Sequence, residues 1–270
     1  MFEPGKMKIR IVIIGGCLVL LASIGWVSRG EDAWIGEPHA KYKLHYKEGD
    51  KKTKEEYVSF LDRGIEDVES FTGKKYTGVF SVYVHPDRGS MDKQWSSDWN
   101  MPGFKSECWM VASGVATKLD LLSPLKWSAE ACEHSYSNAE KTQQLITHEL
   151  FHVYHGQLNE SPDFSVADTI DWFVEGFATY ASGQCDTARI RQVRNAIWFN
   201  QVPASLSEFW TGKLKYGLAG SMVMYIDHKY GRKKVLEMLL YNKKTDILNT
   251  LRTDEAALIA GWKKYMQEKK

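Results

Sequence analysis

His148 and His152 stand four residues apart, with Glu149 between them, in a stretch (138–158) that reads as helix throughout. Residues at i and i+4 of a helix lie one above the other, so both imidazoles can reach a single metal ion. That constraint organises its surroundings. Ile146, Leu150 and Val153 recur at helical spacing and give the helix a core-facing side. Gln143, Gln144 and Leu145 precede the first histidine, so the pair starts well inside regular backbone. Glu149 points toward the same side and is placed to hold a water that the metal activates.

A candidate third ligand is Glu175, in Trp172-Phe173-Val174-Glu175-Gly176. Its segment, 168–182, reads as a second helix with Ile170, Phe173, Phe177 and Tyr180 available for packing. A carboxylate among such neighbours needs a partner. Gly176 weakens a helix, and its gain is read as close approach of two backbones beside the metal. Among rivals, His155 lies about 10 Å along the helix axis from His148, too far to share one ion on a straight helix. It is expected to support the site from behind or to lie exposed. Glu160, Asp163 and Asp168 sit in the connection containing Pro162, too near the helix end to be preferred. Three protein ligands and one open position is the arrangement of a catalytic zinc site, and two imidazoles with one carboxylate suit zinc best. One Zn2+ per chain is therefore the expected cofactor.

These segments resemble the gluzincin clan of zinc metallopeptidases, most closely its peptidase MA-like members. The resemblance implies His148, His152 and Glu175 as ligands and Glu149 as general base. Residues 215–221 (KYGLAGS) and 230–236 (YGRKKVL) are similar to the clan's tyrosine-glycine helix start and its continuation. By position Tyr216 matches the tyrosine that steadies the oxyanion, with Tyr225 and Tyr230 as rivals. The resemblance spans roughly 79–240 and departs from the clan pattern twice. The gap between His152 and Glu175 is 22 residues, somewhat long, with the excess assigned to a loop at 159–167. No glycine-x-methionine-glutamate-asparagine segment lies upstream to grip a peptide N-terminus, so endopeptidase action is expected over aminopeptidase action.

The implied fold is α+β and zincin-like. A small N-terminal mixed sheet with helices packs against a mainly helical C-terminal lobe, and the zinc site lies in the cleft between them. In the clan a strand beside the motif helix walls the cleft, and substrate adds to its edge. Residues 112–116 are the expected edge, their small side chains read as room for a peptide backbone. The competing reading is a catalytically retired, membrane-tethered peptide-binding or regulatory module on the same fold. Retirement usually removes the base or a ligand, and none is lost here.

A formal net charge of +1 gives no sign of nucleic-acid binding, so the expected partner is a peptide or protein substrate. Residues 11–27 are seventeen without charge, following Lys6, Lys8 and Arg10. Such a run is borderline between a signal core and a membrane span, and its basic flank places the rest of the chain outside the cytoplasm. Residues 1–30 are thus expected to be a signal or membrane anchor. Residues 31–270 form the metallopeptidase domain, membrane-anchored or secreted. Cys108 and Cys132 are placed to pair in an oxidising compartment, which leaves Cys185 odd.

Strands are expected at 42–46 and 78–85, with one or two more inside 108–122. Helices are expected at 54–71, 188–199, 218–230, 233–241 and 254–267. The polar, tryptophan-bearing stretch 88–104 reads as an exposed loop. Asp227 and His228 read as solvated or capping residues.

Overall fold

The computed structural model describes residues 33–268. The expected leader lies outside them. Among the described residues no helix is long and apolar enough to cross a membrane.

The N-terminal half is a five-stranded mixed sheet. Its strands are β1 (Ile35–Pro38), β2 (Tyr42–Tyr46), β3 (Phe80–His85), β4 (Ala112–Val115) and β5 (Lys118–Leu122), in the order β1-β2-β3-β5-β4. The β2–β3 and β3–β5 pairs are parallel, and both edge strands run antiparallel to their neighbours. Alternation decides which face is buried. Tyr42, Leu44 and Tyr46 of β2 and Phe80, Val82 and Val84 of β3 turn inward, onto helix α1 (Lys54–Thr72). Helix α1 ends at Gly73, whose φ of 68° is the left-handed conformation that glycine adopts at helix ends.

Helix α4 (Ala139–Leu158) runs through the middle of the molecule. Asn138 caps its start, the side chain accepting a hydrogen bond from the Lys141 amide. Leu145, Ile146, Leu150, Phe151, Val153 and Tyr154 are all buried, so the helix is apolar on more sides than a surface helix. Each of the large side chains contributes about 1.5–3 kcal/mol by leaving water. Gln143 donates to the Phe60 carbonyl of α1, and Tyr76 donates to the Leu150 carbonyl, which fixes the helix against the sheet lobe.

The C-terminal half is helical: α5 (Asp171–Ala181), α6 (Thr187–Trp198), α7 (Lys215–Tyr230), α8 (Arg232–Glu237), α9 (Lys244–Leu251) and α10 (Glu255–Glu268). Phe151 of α4 meets Phe177 of α5 at 4.6 Å between ring centroids, and Phe71 of α1 closes the cluster. Helices α5 and α7 approach so closely that a Cβ on Gly176 would lie 2.5 Å from the Ala219 carbonyl oxygen. The glycine expected to permit a close approach does so, and the backbone it meets is that of α7. The α+β arrangement, sheet first and helices after, is as expected.

One stretch differs from its reading. Residues 88–104 are no loop: helix α2 (Arg88–Asp98) occupies most of them, capped by Asp87, which accepts from the Ser90 amide. Met91 and Trp95, four apart, are buried, with Asp92 beside them accepting from Ser106. Two apolar positions in a polar segment are too few to raise a helical period. Strand β1 and helix α9 are further elements that the sequence did not announce. The 233–241 helix splits into α8 and a 3-10 turn at Met238–Leu240. A one-turn helix, α3 (Trp127–Glu130), follows β5.

Candidate metal centre

Two turns of α4 set His148 and His152 side by side, each 5% exposed. Their Nε2 atoms are 3.1 Å apart. Oε2 of Glu175, from α5, lies 3.3 Å from the first and 3.5 Å from the second. A zinc ion about 2.0–2.1 Å from each of three ligands at tetrahedral angles sets those ligands about 3.3 Å from one another. The triangle therefore has the dimensions of one face of a zinc tetrahedron. Among the described residues, this His148, His152 and Glu175 group is the cluster whose donor atoms converge in this way. Glu160, Asp163 and Asp168, considered as rivals, are not part of it. Asp163 accepts from Ser161 and Ser165, and Asp168 pairs its backbone with Lys243.

Charge in the cluster is mutual. Burial by itself raises the Glu175 carboxyl, but the imidazoles of His152 and His148 outweigh it and hold the group well below the usual carboxylate range. Burial opposes charge on His152, yet Glu175 and Glu149 prevail and hold its pKa above the ordinary histidine value. The outward Nδ1 atoms of both histidines are buried without a hydrogen-bond partner. Metal-binding histidines usually donate that atom to a carboxylate or carbonyl. Here ring packing does the orienting, by Tyr216 at 6.3 Å from His148 and Phe164 at 6.1 Å from His152.

His155 is neither exposed nor aimed at the cluster. It is fully buried and in contact with the Leu239 carbonyl through Nε2 at 3.1 Å. Burial, then the nearby His152, pushes its pKa down to about 3, so it stays neutral and donates.

The cluster opens into a cleft of about 1300 Å³ between β4 and α6–α7, larger than the pockets that hold single small molecules. Glu149 faces this space from α4, beside the histidines. Edge strand β4 forms one wall through Ala112–Val115, and of the 88–104 stretch only Trp99 reaches the lining. Gly114 serves a different purpose from the one expected of its small size. A Cβ there would lie 2.2 Å from the Glu149 carbonyl oxygen and 3.3 Å from the His152 Cβ. The glycine lets the strand dock onto α4 at the motif itself.

Tyr216, on the first turn of α7, lines the cleft. Its rivals do not. Tyr225 is buried against Tyr265, and Tyr230 sits at the far end of α7 under Lys229. Burial, then Glu175 and Glu149, raises the Tyr216 phenol above its usual range, so it remains a proton-bearing donor. Asp227 is no site residue. It accepts from Tyr180 at 2.7 Å and from Arg232 at 2.7 and 3.0 Å.

Among the cleft residues that sequence reasoning missed are Trp109, Arg189, Trp210 and Lys215. The Lys215 ammonium stands 4.6 Å from the Trp109 ring, 4.7 Å from Trp210 and 5.2 Å from Tyr216. The Arg189 guanidinium stands 5.1 Å from the Tyr216 ring. Nothing local marks these residues, because their partners are remote in the chain.

No family model and no curated protein matches the sequence. Among solved structures, the chain is similar to native yeast LTA4 hydrolase, with a TM-score of 0.51 and 12% identity. The match covers 87% of this chain and 38% of that one, so the chain spans well under half of that enzyme's length. At such identity the likeness speaks for the fold, a zincin-like α+β arrangement.

Proposed function

We propose that this chain is a zinc metallopeptidase that cleaves peptide bonds within a chain, on the extracytoplasmic side of a membrane. The observation that carries the reading is the ligand triangle with Glu149 beside it in an open cleft. His148, His152 and Glu175 would hold the metal. Zinc held there would supply Lewis-acid chemistry, polarising a carbonyl and acidifying a water. Glu149 accepts the proton of the attacking water and delivers it to the leaving amine. Tyr216 donates a hydrogen bond to the carbonyl oxygen as negative charge develops on it. Strand β4 offers its outer edge to an extended substrate, which would add as a further strand. The size of the cleft supports a polymeric substrate, and the Cys108–Cys132 disulfide supports an oxidising compartment. Residues 11–27 would supply the membrane attachment.

The test is elemental analysis and peptide hydrolysis on the full-length chain, wild type beside Glu175→Ala and Glu149→Gln. One zinc per chain is expected in wild type and in Glu149→Gln, with the metal lost or weakened in Glu175→Ala. Hydrolysis is expected in wild type alone. Full turnover by Glu149→Gln would refute the assigned base. Tight zinc with no hydrolysis of any peptide would leave a peptide-binding module on a retired fold.

A further inference from the structure

The cleft wall opposite β4 carries two cations, Arg189 and Lys215, that form no salt bridge with a carboxylate among the described residues. Arg189 makes no ion pair within 4.0 Å among them. One of its terminal nitrogens, Nη1, donates to the Gln184 carbonyl at 3.0 Å and toward the Gln184 side chain at 3.4 Å. Its Nη2 and Nε have no acceptor among the described residues. Lys215 likewise has no carboxylate partner there. It is held by the faces of Trp109, Trp210 and Tyr216. Aromatic faces steady an ammonium without cancelling its charge. Both cations flank the Tyr216 ring, and Lys213 lines the same wall. Asp186 feels Arg189: against burial, the bond from the Arg189 amide at 2.8 Å, then Lys141 and the Arg189 charge, hold it below the usual carboxylate range, but its side chain is bridged to Lys141 and not to the guanidinium. Lys141 and Asp186 are paired at 2.9 Å, and Glu133 lines the cleft without an ion pair to either cation. A wall built this way carries cations in excess: Arg189, Lys213, Lys215 and Lys141 against Asp186 and Glu133.

We infer that Arg189 and Lys215 recognise a carboxylate of the peptide substrate close to the bond that is cut. The inference rests on the peptidase reading above and names the substrate class of that site. The planar guanidinium with two free donor positions matches a carboxylate, and the caged ammonium adds a second charge. The reach is set by geometry. The Arg189 guanidinium is 5.1 Å from the Tyr216 ring, and that ring is 6.3 Å from His148. An extended peptide advances about 3.3 Å per residue, so the carboxylate belongs within about three residues of the scissile bond. It is supplied either by an acidic side chain or by a free C-terminus.

The probes are dye-labelled alanine hexapeptides with one Glu or one Gln walked through each position, each made as free acid and as amide. Binding is read by fluorescence anisotropy on full-length, zinc-loaded Glu149→Gln protein, and cleavage on wild type. The expected result is about tenfold tighter binding of the Glu peptide at one position, or of the free acid over the amide, the worth of one charge-assisted hydrogen bond. In Arg189→Gln and Lys215→Met, made on that background, the ratio falls to within about twofold while zinc content holds. Arg189→Glu with Lys215→Glu reverses the preference toward lysine-bearing peptides. A side-chain preference without a terminus preference identifies internal acidic residues, and the converse identifies the C-terminus. Equal binding of anionic and neutral peptides, or a preference that survives both single variants, overturns the inference. A preference in the binding arm with no cleavage by wild type leaves the carboxylate wall standing and refutes the peptidase reading.

Discussion

The contact between Gly114 and helix α4 gives the sharpest test of how the site is held. A methyl group on Gly114 would lie 2.2 Å from the Glu149 carbonyl oxygen and 3.0 Å from its carbonyl carbon, both backbone atoms of a buried helix. Neither can rotate away as a side-chain tip would. Relief requires β4 and α4 to part by about 1 Å, and overpacking of this kind costs about 1–3 kcal/mol. The displaced backbone is that of the motif, so the shift reaches Glu149 and His152 directly. A misplacement of about 1 Å at a reacting centre costs about a hundredfold in rate. Gly114→Ala should therefore lower the urea midpoint by the equivalent of about 1–3 kcal/mol and weaken zinc retention during dialysis against a chelator. Ser113→Ala, one residue away on the same strand, serves as control and should stay within about 0.5 kcal/mol. A Gly114→Ala protein as stable as Ser113→Ala, with wild-type zinc retention, would refute the argument that this glycine sets the strand against the motif.

Three further outcomes are expected. In metal-free protein, the raised His152 contributes stability that is complete below its unfolded pKa, near 6.5, and lost as pH rises through its folded value. The depressed Glu175 contributes stability present above its unfolded pKa, near 4.3, and lost as pH falls through its folded value. Buried, neutral His155 acts the other way over the same range, so the pairing is read as a difference: the apo urea midpoint of wild type relative to Glu175→Gln should be higher near pH 5.5 than near pH 8.5, and an equal difference at the two would contradict the pairing. Removing the Cys108–Cys132 disulfide, whose cysteines are 24 apart in sequence, should cost about 3 kcal/mol through loop entropy, read as a drop in melting temperature of the double serine variant. Asp227→Ala strips Arg232 and Tyr180 of their shared acceptor and should destabilise by about 2 kcal/mol by urea titration, discounted because Arg232 is partly exposed.

How much could be read from the chain depends on the range of the interactions. His148, Glu149 and His152 were legible because their relation is one turn of one helix. Glu175 was legible as a carboxylate with too many apolar neighbours to be solvated. Helix α2 was not, because Met91 and Trp95 supply its only buried apolar contacts, and its stability comes from the Asp87 cap and the Asp92–Ser106 bonds. Gly114 was seen as a small residue facing a substrate. Its true neighbour, the Glu149 carbonyl, emerges only when strand and helix are docked. The caging of Lys215 by Trp109 and Trp210 is tertiary in the same sense, and so is the role of Arg88. That residue donates to Ser106 and to the carbonyls of Glu107, Cys108, Met110 and Glu130, holding both sides of the disulfide in one place.

The Gly176–Ala219 contact bears on how such a molecule can move. Helices α5 and α7 meet backbone to backbone there, and between them they carry Glu175 and Tyr216. The facing helix α4 carries His148, Glu149 and His152. Swinging it away from α5 and α7 would stretch a triangle whose edges are 3.1 to 3.5 Å and would separate Glu149 from Tyr216 in the same stroke. A jaw-like opening would break that triangle. The contact of Trp109 with Lys215 at 4.6 Å is free of that constraint, because neither residue belongs to the triangle.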